Sequence, residues 1–132
     1  MGAIADLTED PKMIIDGNDS IVIRQCLSSL VGGRTLDMSG FPDKFVKAGH
    51  IVIYEKETDT WKPMPVKDGA YDALPQGHEY EGVVIATKPS ARPMVGIMYR
   101  GEVNDKAMPY PLTDVMRTAL ATALPHITFT HD

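Results

Sequence analysis

Short runs of apolar, β-branched residues recur along the chain, separated by residues that favour turns. The clearest run is Ile51–Tyr54, which is followed by the charged stretch 55–60. Comparable runs occupy residues 81–86, 94–99 and 127–130, and turn-forming stretches such as 55–60 and 88–93 are only six residues long. Runs of this length between turn formers are typical of β-strands. Connections this short leave no room for helical crossovers, so we expect mostly antiparallel pairing.

The N-terminal third is less regular. Two apolar triplets, Met13–Ile15 and Ile21–Ile23, flank the turn-forming stretch 16–20, and this spacing predicts a hairpin or two short strands. Residues 25–31 fit a short helix or an irregular strand, and their periodicity does not choose between the two. Residues 1–12 lack a clear period. We therefore predict an N-terminal arm over residues 1–15 and a single β-rich domain over residues 16–132.

Prolines and polar residues set the expected edges and loops of the sheet. Residues 61–66 contain Pro63 and Pro65, and because proline cannot donate to a central ladder this segment is expected to be an edge strand. Residues 67–80 are polar and contain Gly69, Pro75 and Gly77, which makes them the longest predicted loop. Residues 88–93 are predicted to form a turn.

One segment has the pattern of an amphipathic helix. Thr113 is suited to cap its N-terminus, and Pro125 stops it after residue 124. Its apolar positions are expected to lie on one stripe: Val115, Met116, Ala119, Leu120, Ala123 and Leu124. The fold class predicted from these elements is mainly β with one C-terminal helix (α+β), in which the helix covers an open face of the sheet.

Composition excludes several classes of protein. The 132 residues fit one domain, and the net charge of −5 argues against a nucleic-acid partner, which would need a basic face. There is no apolar run of 18 residues, and acidic residues stand where a signal peptide would carry basic ones, so we expect no membrane partner and synthesis in the cytoplasm. A single cysteine, Cys26, excludes an intrachain disulfide. It is expected to be a small buried apolar side chain, with a catalytic thiol as the alternative.

The chain contains no grouping typical of catalysis. The four histidines, His50, His78, His126 and His131, lack the spacing of a helical zinc site. His131 is expected to lie in a solvated tail, and a metal site built from His50 and His78 is the minor alternative. We therefore predict no enzyme activity, no cofactor and no metal.

Apolar side chains with a second interpretation are few. Trp61 precedes Lys62-Pro63 and is expected to pack at the core or sheet edge, with a sugar- or proline-binding groove as the alternative. Four of the eight methionines, Met94, Met98, Met108 and Met116, are expected in the core or in subunit contacts.

The order of these motifs resembles a known family. An Ala-Gly-x-apolar strand at 48–53 precedes a charged hairpin ending in Trp61–Pro63 and the strand Gly82–Ile85. A strand closing on Tyr99–Asn104, a Leu-rich helix and residues 127–129 follow. Over residues 30–130 this succession resembles the lambda-type head decoration proteins of tailed bacteriophages. Residues 33–37 with Gly49 are similar to the relatives known as head fibre proteins.

The resemblance implies a small β-barrel or β-tulip-like domain that carries out no chemistry. It implies a virion protein that binds the major capsid protein on the outer capsid surface, as a homotrimer at local three-fold positions. The arm would add a strand to the capsid protein's sheet, with Met13, Ile14 and Ile15 as anchors. The structural positions that carry the family pattern would be the following: Gly49, Trp61, Gly82, Gly101, Leu120 and Leu124. Gly49 and Gly101 are placed where strands meet turns, to supply positive φ or close backbone approach.

Two alternatives remain at the level of sequence. In a head-fibre base or host-surface module, the loop 67–80 with Tyr71, His78 and Tyr80 would form a glycan-binding tip. In a small enzyme or sugar-binding domain, Trp61 with His50 or His78 would form the site.

Overall fold

The computed structural model describes residues 19–131. Two helices and twelve strands occur within this range. In chain order they are α1 (Asp19–Val22), β1 (Ile23–Ser29), β2 (Arg34–Thr35), β3 (Phe45–Val46), β4 (Ile51–Glu55), β5 (Thr60–Pro63), β6 (Val66–Lys67), β7 (Ala70–Tyr71), β8 (His78–Val84), β9 (Lys88–Pro89), β10 (Met94–Val95), β11 (Ile97–Asn104), α2 (Asp114–Ala123) and β12 (Ile127–Thr130).

The main sheet has six strands in the order β1-β11-β8-β4-β5, with β12 also paired to β11. Every pair in this sheet is antiparallel except β11–β12, which is parallel. Helix α2 supplies the crossover that this parallel pair requires. The predicted mainly β fold with a C-terminal helix and mostly antiparallel pairing is confirmed.

The expectation of a barrel is wrong. The sheet is open, and β1 and β5 form its two edges within residues 19–131. Closing a barrel would require these strands to pair with each other. The remaining strands form three two-stranded sheets, β2–β10, β3–β9 and β6–β7. The last two lie partly in segments predicted to be a turn and a loop, because such short ladders leave almost no periodic signal in sequence.

The strand predicted at Ile21–Ile23 is wrong for its first two residues. Residues 19–22 form helix α1, in which Val22 is fully buried, so the triplet Ile21–Ile23 divides between a helix and a strand. Residues 25–31 resolve as the irregular strand of the two alternatives, since β1 covers most of them. Met13–Ile15, like the whole predicted arm, lie outside the described residues.

Helix α2 follows its predicted start closely. The Thr113 hydroxyl accepts a hydrogen bond from the Met116 amide at 3.2 Å, which is the expected N-cap. Met116, Leu120 and Leu124 are buried, but Val115 is 80% exposed. Ala123 is exposed as well. The apolar stripe is therefore narrower than predicted, since the helix contacts the sheet along one line only.

Both faces of the sheet are covered. Alternation along β4 sends Ile51 and Ile53 to a core shared with helix α2, while Val52 faces a second core. Val83 and Val84 divide in the same way. Met98, Met108 and Met116 belong to the first core, as expected, whereas Met94 is exposed. A strand buried on both faces explains why the central segments are continuous apolar runs.

Candidate functional site

Gly49, Gly82 and Gly101 lie where other atoms approach closely, namely a side chain at Gly49 and backbone carbonyls at the other two. Gly49 has φ +90°, and a β-carbon on it would lie less than 3.0 Å from Val22. A β-carbon on Gly82 would meet the Met98 carbonyl, and one on Gly101 would meet the Gln25 carbonyl. Gly101 has φ +153° but lies within β11 and not at a turn. Of the two roles predicted for Gly101, positive φ at a turn and close backbone approach, the structure therefore supports the close approach of β1.

The beginning of the described chain is fixed to the core by a relay of hydrogen bonds. The Asp19 carboxylate accepts from the Thr87 amide at 2.8 Å and from the Thr87 hydroxyl at 2.6 Å. The same hydroxyl accepts from the Ala48 amide at 3.0 Å. Together with the packing of buried Val22 against Gly49, this relay attaches the beginning of the described chain to the core.

Within residues 19–131, strand β1 is an open edge. It pairs with β11 through three register shifts, and most of its residues are exposed. Leu27 is 55% exposed, and Val31 just beyond the strand is 93% exposed. Cys26 is exposed too, so its expected burial is wrong. The irregular strand turns these side chains outward instead of into the core.

Strand β5 is a covered edge. The Trp61 ring lies between the Arg34 guanidinium, 4.8 Å from its centroid, and the Tyr54 ring at 4.7 Å. The Asp37 amide donates to the Trp61 carbonyl at 2.8 Å. The indole nitrogen is buried and has no partner within the described range. Trp61 is thus an edge-packing residue, as expected, and does not line an open groove.

In segment 67–80 the side chains that were predicted to form a binding tip are not the exposed ones. Tyr71 is buried, and its hydroxyl accepts a hydrogen bond from the Ile51 amide at 3.1 Å. The His78 side chain is only 8% exposed, and Tyr80 is half-buried in β8. Of the three side chains assigned to a binding tip, Tyr71 therefore belongs to the core, and His78 and Tyr80 are only partly accessible.

The C-terminal histidine is not in a solvated tail. His131 Nδ1 lies 2.7 Å from one oxygen of Asp105, and Arg117 donates to the other at 2.8 Å. Burial raises the pKa of Asp105, but the hydrogen bonds and charges of these two partners outweigh burial and hold it below its ordinary value. The cluster joins β11, α2 and the end of β12.

His50 is enclosed by aromatic rings and is 1% exposed. Its centroid lies 5.3 Å from that of Phe41, 5.2 Å from that of Tyr71 and 5.7 Å from that of Tyr110. Burial lowers the pKa of His50 to about 4, against the opposing effects of the Met64 carbonyl and the Asp43 charge. The ring is therefore neutral near pH 7.

A cavity of about 260 Å³ opens beside His50. Its polar lining is supplied by Asp43, Lys44, Lys47 and Tyr110 together with the histidine. Asp43 accepts a short hydrogen bond from the Tyr110 hydroxyl. Asp43 and Tyr110, unlike His50, were not among the predicted site residues, because no local motif connects residues 67 positions apart.

Among residues 19–131, no group of three or more His, Cys, Asp or Glu side chains is placed to hold a metal ion. His50 and His78 each bond a backbone carbonyl, of Met64 and Gln76 respectively. Nor is any helix in this range long and apolar enough to cross a membrane.

The chain matches no protein-family model, and no match was found among curated proteins or solved structures. Its function is therefore inferred from its own residues and their geometry.

Proposed function

We propose that this chain is a structural virion protein that binds the outer surface of a phage capsid and stabilises it. In this proposal residues 1–15 form the arm that pairs with the major capsid protein, with Met13, Ile14 and Ile15 as anchors. The domain forms homotrimers on the shell and performs no chemistry.

The observation that carries the proposal is the fixed start of the domain. An arm that binds a second protein holds its own domain there only if the arm is firmly attached to that domain. Asp19, four residues after the last anchor, is held by the Thr87 amide and hydroxyl, and Val22 is buried behind it. This attachment suits an arm that holds a domain on a shell.

The open edge at β1 also supports attachment of the domain to a shell through the arm. Helix α1 leads directly into β1, so a capsid-bound arm brings this edge towards the shell and neighbouring subunits. Exposed edge strands pair readily with other chains, and exposed apolar side chains add contact area. Leu27 and Val31 provide such side chains at this edge.

The test is binding to purified, undecorated capsids of the parent phage, measured by co-sedimentation and electron cryo-microscopy. We expect the full chain to bind mature shells as trimers and to raise their melting temperature. A chain lacking residues 1–15 should lose binding but keep its circular dichroism spectrum and unfolding midpoint. Failure of the full chain to bind these capsids contradicts the proposal, and full occupancy by the truncated chain contradicts the role of the arm.

A matched pair of variants tests the attachment point. Asp19→Ala removes both bonds to Thr87, whereas Asp114→Ala removes an exposed carboxylate from the start of α2. We expect only Asp19→Ala to lower the temperature at which the protein detaches from capsids. Equal detachment temperatures for the two variants would show that the fixed start of the domain has no part in holding it.

A further inference from the structure

The cavity beside His50 presents a hydrogen-bond acceptor that no described residue uses. His50 Nε2 lies 2.9 Å from the Met64 carbonyl, and because a carbonyl only accepts, Nε2 carries the proton. Nδ1 of the neutral ring is then a lone-pair acceptor, and no hydrogen bond to it occurs within residues 19–131. A ligand that satisfies it must bring a donor, such as a hydroxyl group.

Asp43, which also lines the cavity, is held in place before any ligand arrives. The Asp43 carboxylate is bound by the Tyr110 hydroxyl, and burial together with this contact raises the pKa of Tyr110 to about 12. The Ser90 hydroxyl donates to the Asp43 carbonyl at 2.7 Å, and the Ser90 amide donates to the Lys44 carbonyl at 2.8 Å. Asp43 therefore offers a fixed acceptor to a second hydroxyl group.

Two lysine side chains contribute positive charge to the cavity. Lys44 and Lys47 line the cavity, and both side chains are exposed without an ion pair in the described part of the chain. With Asp43 the charged lining sums to +1, which favours a ligand that carries a negative charge. The lysines provide the donors that a carboxylate or phosphate group needs.

Apolar surface completes the lining. Phe45 and Pro109 line the same cavity as the Tyr110 ring. Flat apolar surfaces of this kind pack against the C–H face of a sugar ring. The volume of about 260 Å³ lies below the roughly 300–1,000 Å³ of pockets for drug-sized ligands, so the cavity takes one small residue.

We propose that this cavity binds a single anionic sugar residue, a hydroxylated ring bearing a carboxylate or phosphate group. The ring hydroxyls donate to His50 Nδ1 and to Asp43, and the anionic group lies between Lys44 and Lys47. This site is independent of capsid binding, because it uses neither the arm nor strand β1.

The experiment is an NMR titration of the full ¹⁵N-labelled chain at pH 7. The probes are D-glucuronate, D-galacturonate and D-glucose 6-phosphate, with D-glucose, acetate and inorganic phosphate as comparisons. We expect saturable shifts at cavity residues for at least one anionic sugar, at least about tenfold tighter than for any comparison compound. The Nδ1 resonance of His50 should move upfield as it accepts a hydrogen bond. The preferred anionic sugar distinguishes a sugar carboxylate from a sugar phosphate.

Two double variants distinguish binding in the cavity from an effect of the net charge of the protein. The double variant Lys44→Ala/Lys47→Ala should weaken binding of the preferred sugar at least about tenfold, because charge-assisted hydrogen bonds are lost. The double variant Lys67→Ala/Lys106→Ala changes the net charge equally on exposed lysines outside the cavity, and it should bind normally. All four substitutions are on exposed side chains, so folding is retained.

Three outcomes overturn the proposal. One is the absence of shifts with every anionic sugar; a second is equal binding of acetate or phosphate, which would mark a simple anion patch. The third is an unchanged His50 Nδ1 resonance at saturation. None of these results bears on capsid binding.

Discussion

The two edges of the main sheet are built differently. At one edge, β5 pairs with β4 over four residue pairs without a register shift, and Trp61 is packed between Arg34 and Tyr54. At the other, β1 pairs with β11 through three register shifts and leaves Leu27 exposed. In the described part of the chain, one edge is covered by other segments and the other is open.

The difference shows how a small open sheet limits unwanted pairing without losing a contact surface. Proline at the end of β5 and the loop contact from Asp37 block addition of a strand at that edge. Bulges in β1 keep its ladder irregular, which disfavours pairing with identical copies but leaves side chains available to a shaped partner. Four predictions test this contrast.

The largest effect is expected where β1 is joined to the sheet. In Gly101→Ala, the added methyl group would lie less than 3.0 Å from the Gln25 carbonyl and the Met98 sulfur, so β1 must move. We expect the free energy of unfolding to fall by about 3 kcal/mol or more in urea denaturation. Gly69→Ala is the control, because Gly69 also has positive φ but has open space around it. Equal losses in the two variants would show that φ alone, and not contact with β1, requires glycine at 101.

Next in size is the pH dependence of the covered edge, where His50 holds the Met64 carbonyl just after β5. Burial lowers the pKa of His50 to about 4 in the folded chain, whereas the unfolded chain keeps the ordinary value near 6.5. Between these values only the unfolded chain binds the proton, so stability falls as pH falls from 6.5 to 4, by about 3 kcal/mol. Below pH 4 this contribution stays constant.

Urea unfolding at pH 7, 5.5 and 4.5 measures this loss, and His50→Gln, which does not titrate, should lack it. Direct NMR titration of the His50 ring gives its pKa even if the variant folds poorly. Parallel stability curves for the two chains, or a ring that titrates near 6.5, would contradict the prediction.

A smaller effect is expected at the open edge, in binding and not in folding. Leu27→Lys places a charge on β1, and we expect capsid affinity to fall at least about tenfold, while stability changes by about 0.5 kcal/mol or less. Val115→Lys on α2 is the matched control, since Val115 is an exposed apolar residue far along the chain from β1. If both variants bind capsids equally well, the open edge is not the contact surface.

The smallest effect concerns Arg34, which packs on the covered edge. Its guanidinium packs on Trp61, and Nη1 donates to the carbonyls of Gly33 and Val31 at 2.6 and 3.0 Å. Arg34→Ala should cost about 1 kcal/mol of stability and change the fluorescence of Trp61, the only tryptophan. Arg100→Ala, on an exposed side chain of β11, should change neither. Unchanged Trp61 emission in Arg34→Ala would show that the stacking does not persist in solution.

Much of the fold was predictable because its signals are local. The apolar run at Ile51–Tyr54, the cap at Thr113 and the alternation in Ile127–Thr130 each predicted an element that the structure contains. The errors lie where partners come from distant segments. The α1 residues lie against Gly49, and β9 exists only because β3 lies beside it.

The properties of the candidate sites were likewise predictable where local sequence sets them, and not where distant residues do. The edge character of residues 61–63 followed from proline chemistry, and close approach at Gly101 followed from the absence of a side chain. The exposure of Cys26 was not predicted from the sequence. The expected burial rested on the general tendency of free cysteines, which does not take the irregular pairing of β1 into account. The contact between Asp43 and Tyr110 could not be predicted, since no local sequence pattern around either residue connects it with the other.

The sequence by itself determined a mainly β domain with one capped helix, because strand periodicity, turn chemistry and helix capping act over a few residues. Only the tertiary structure decided that the sheet stays open, that its two edges differ, and that His50 lies neutral beside a charged cavity. Those properties depend on which distant segments meet, and burial and pairing across the chain set the environment of each side chain.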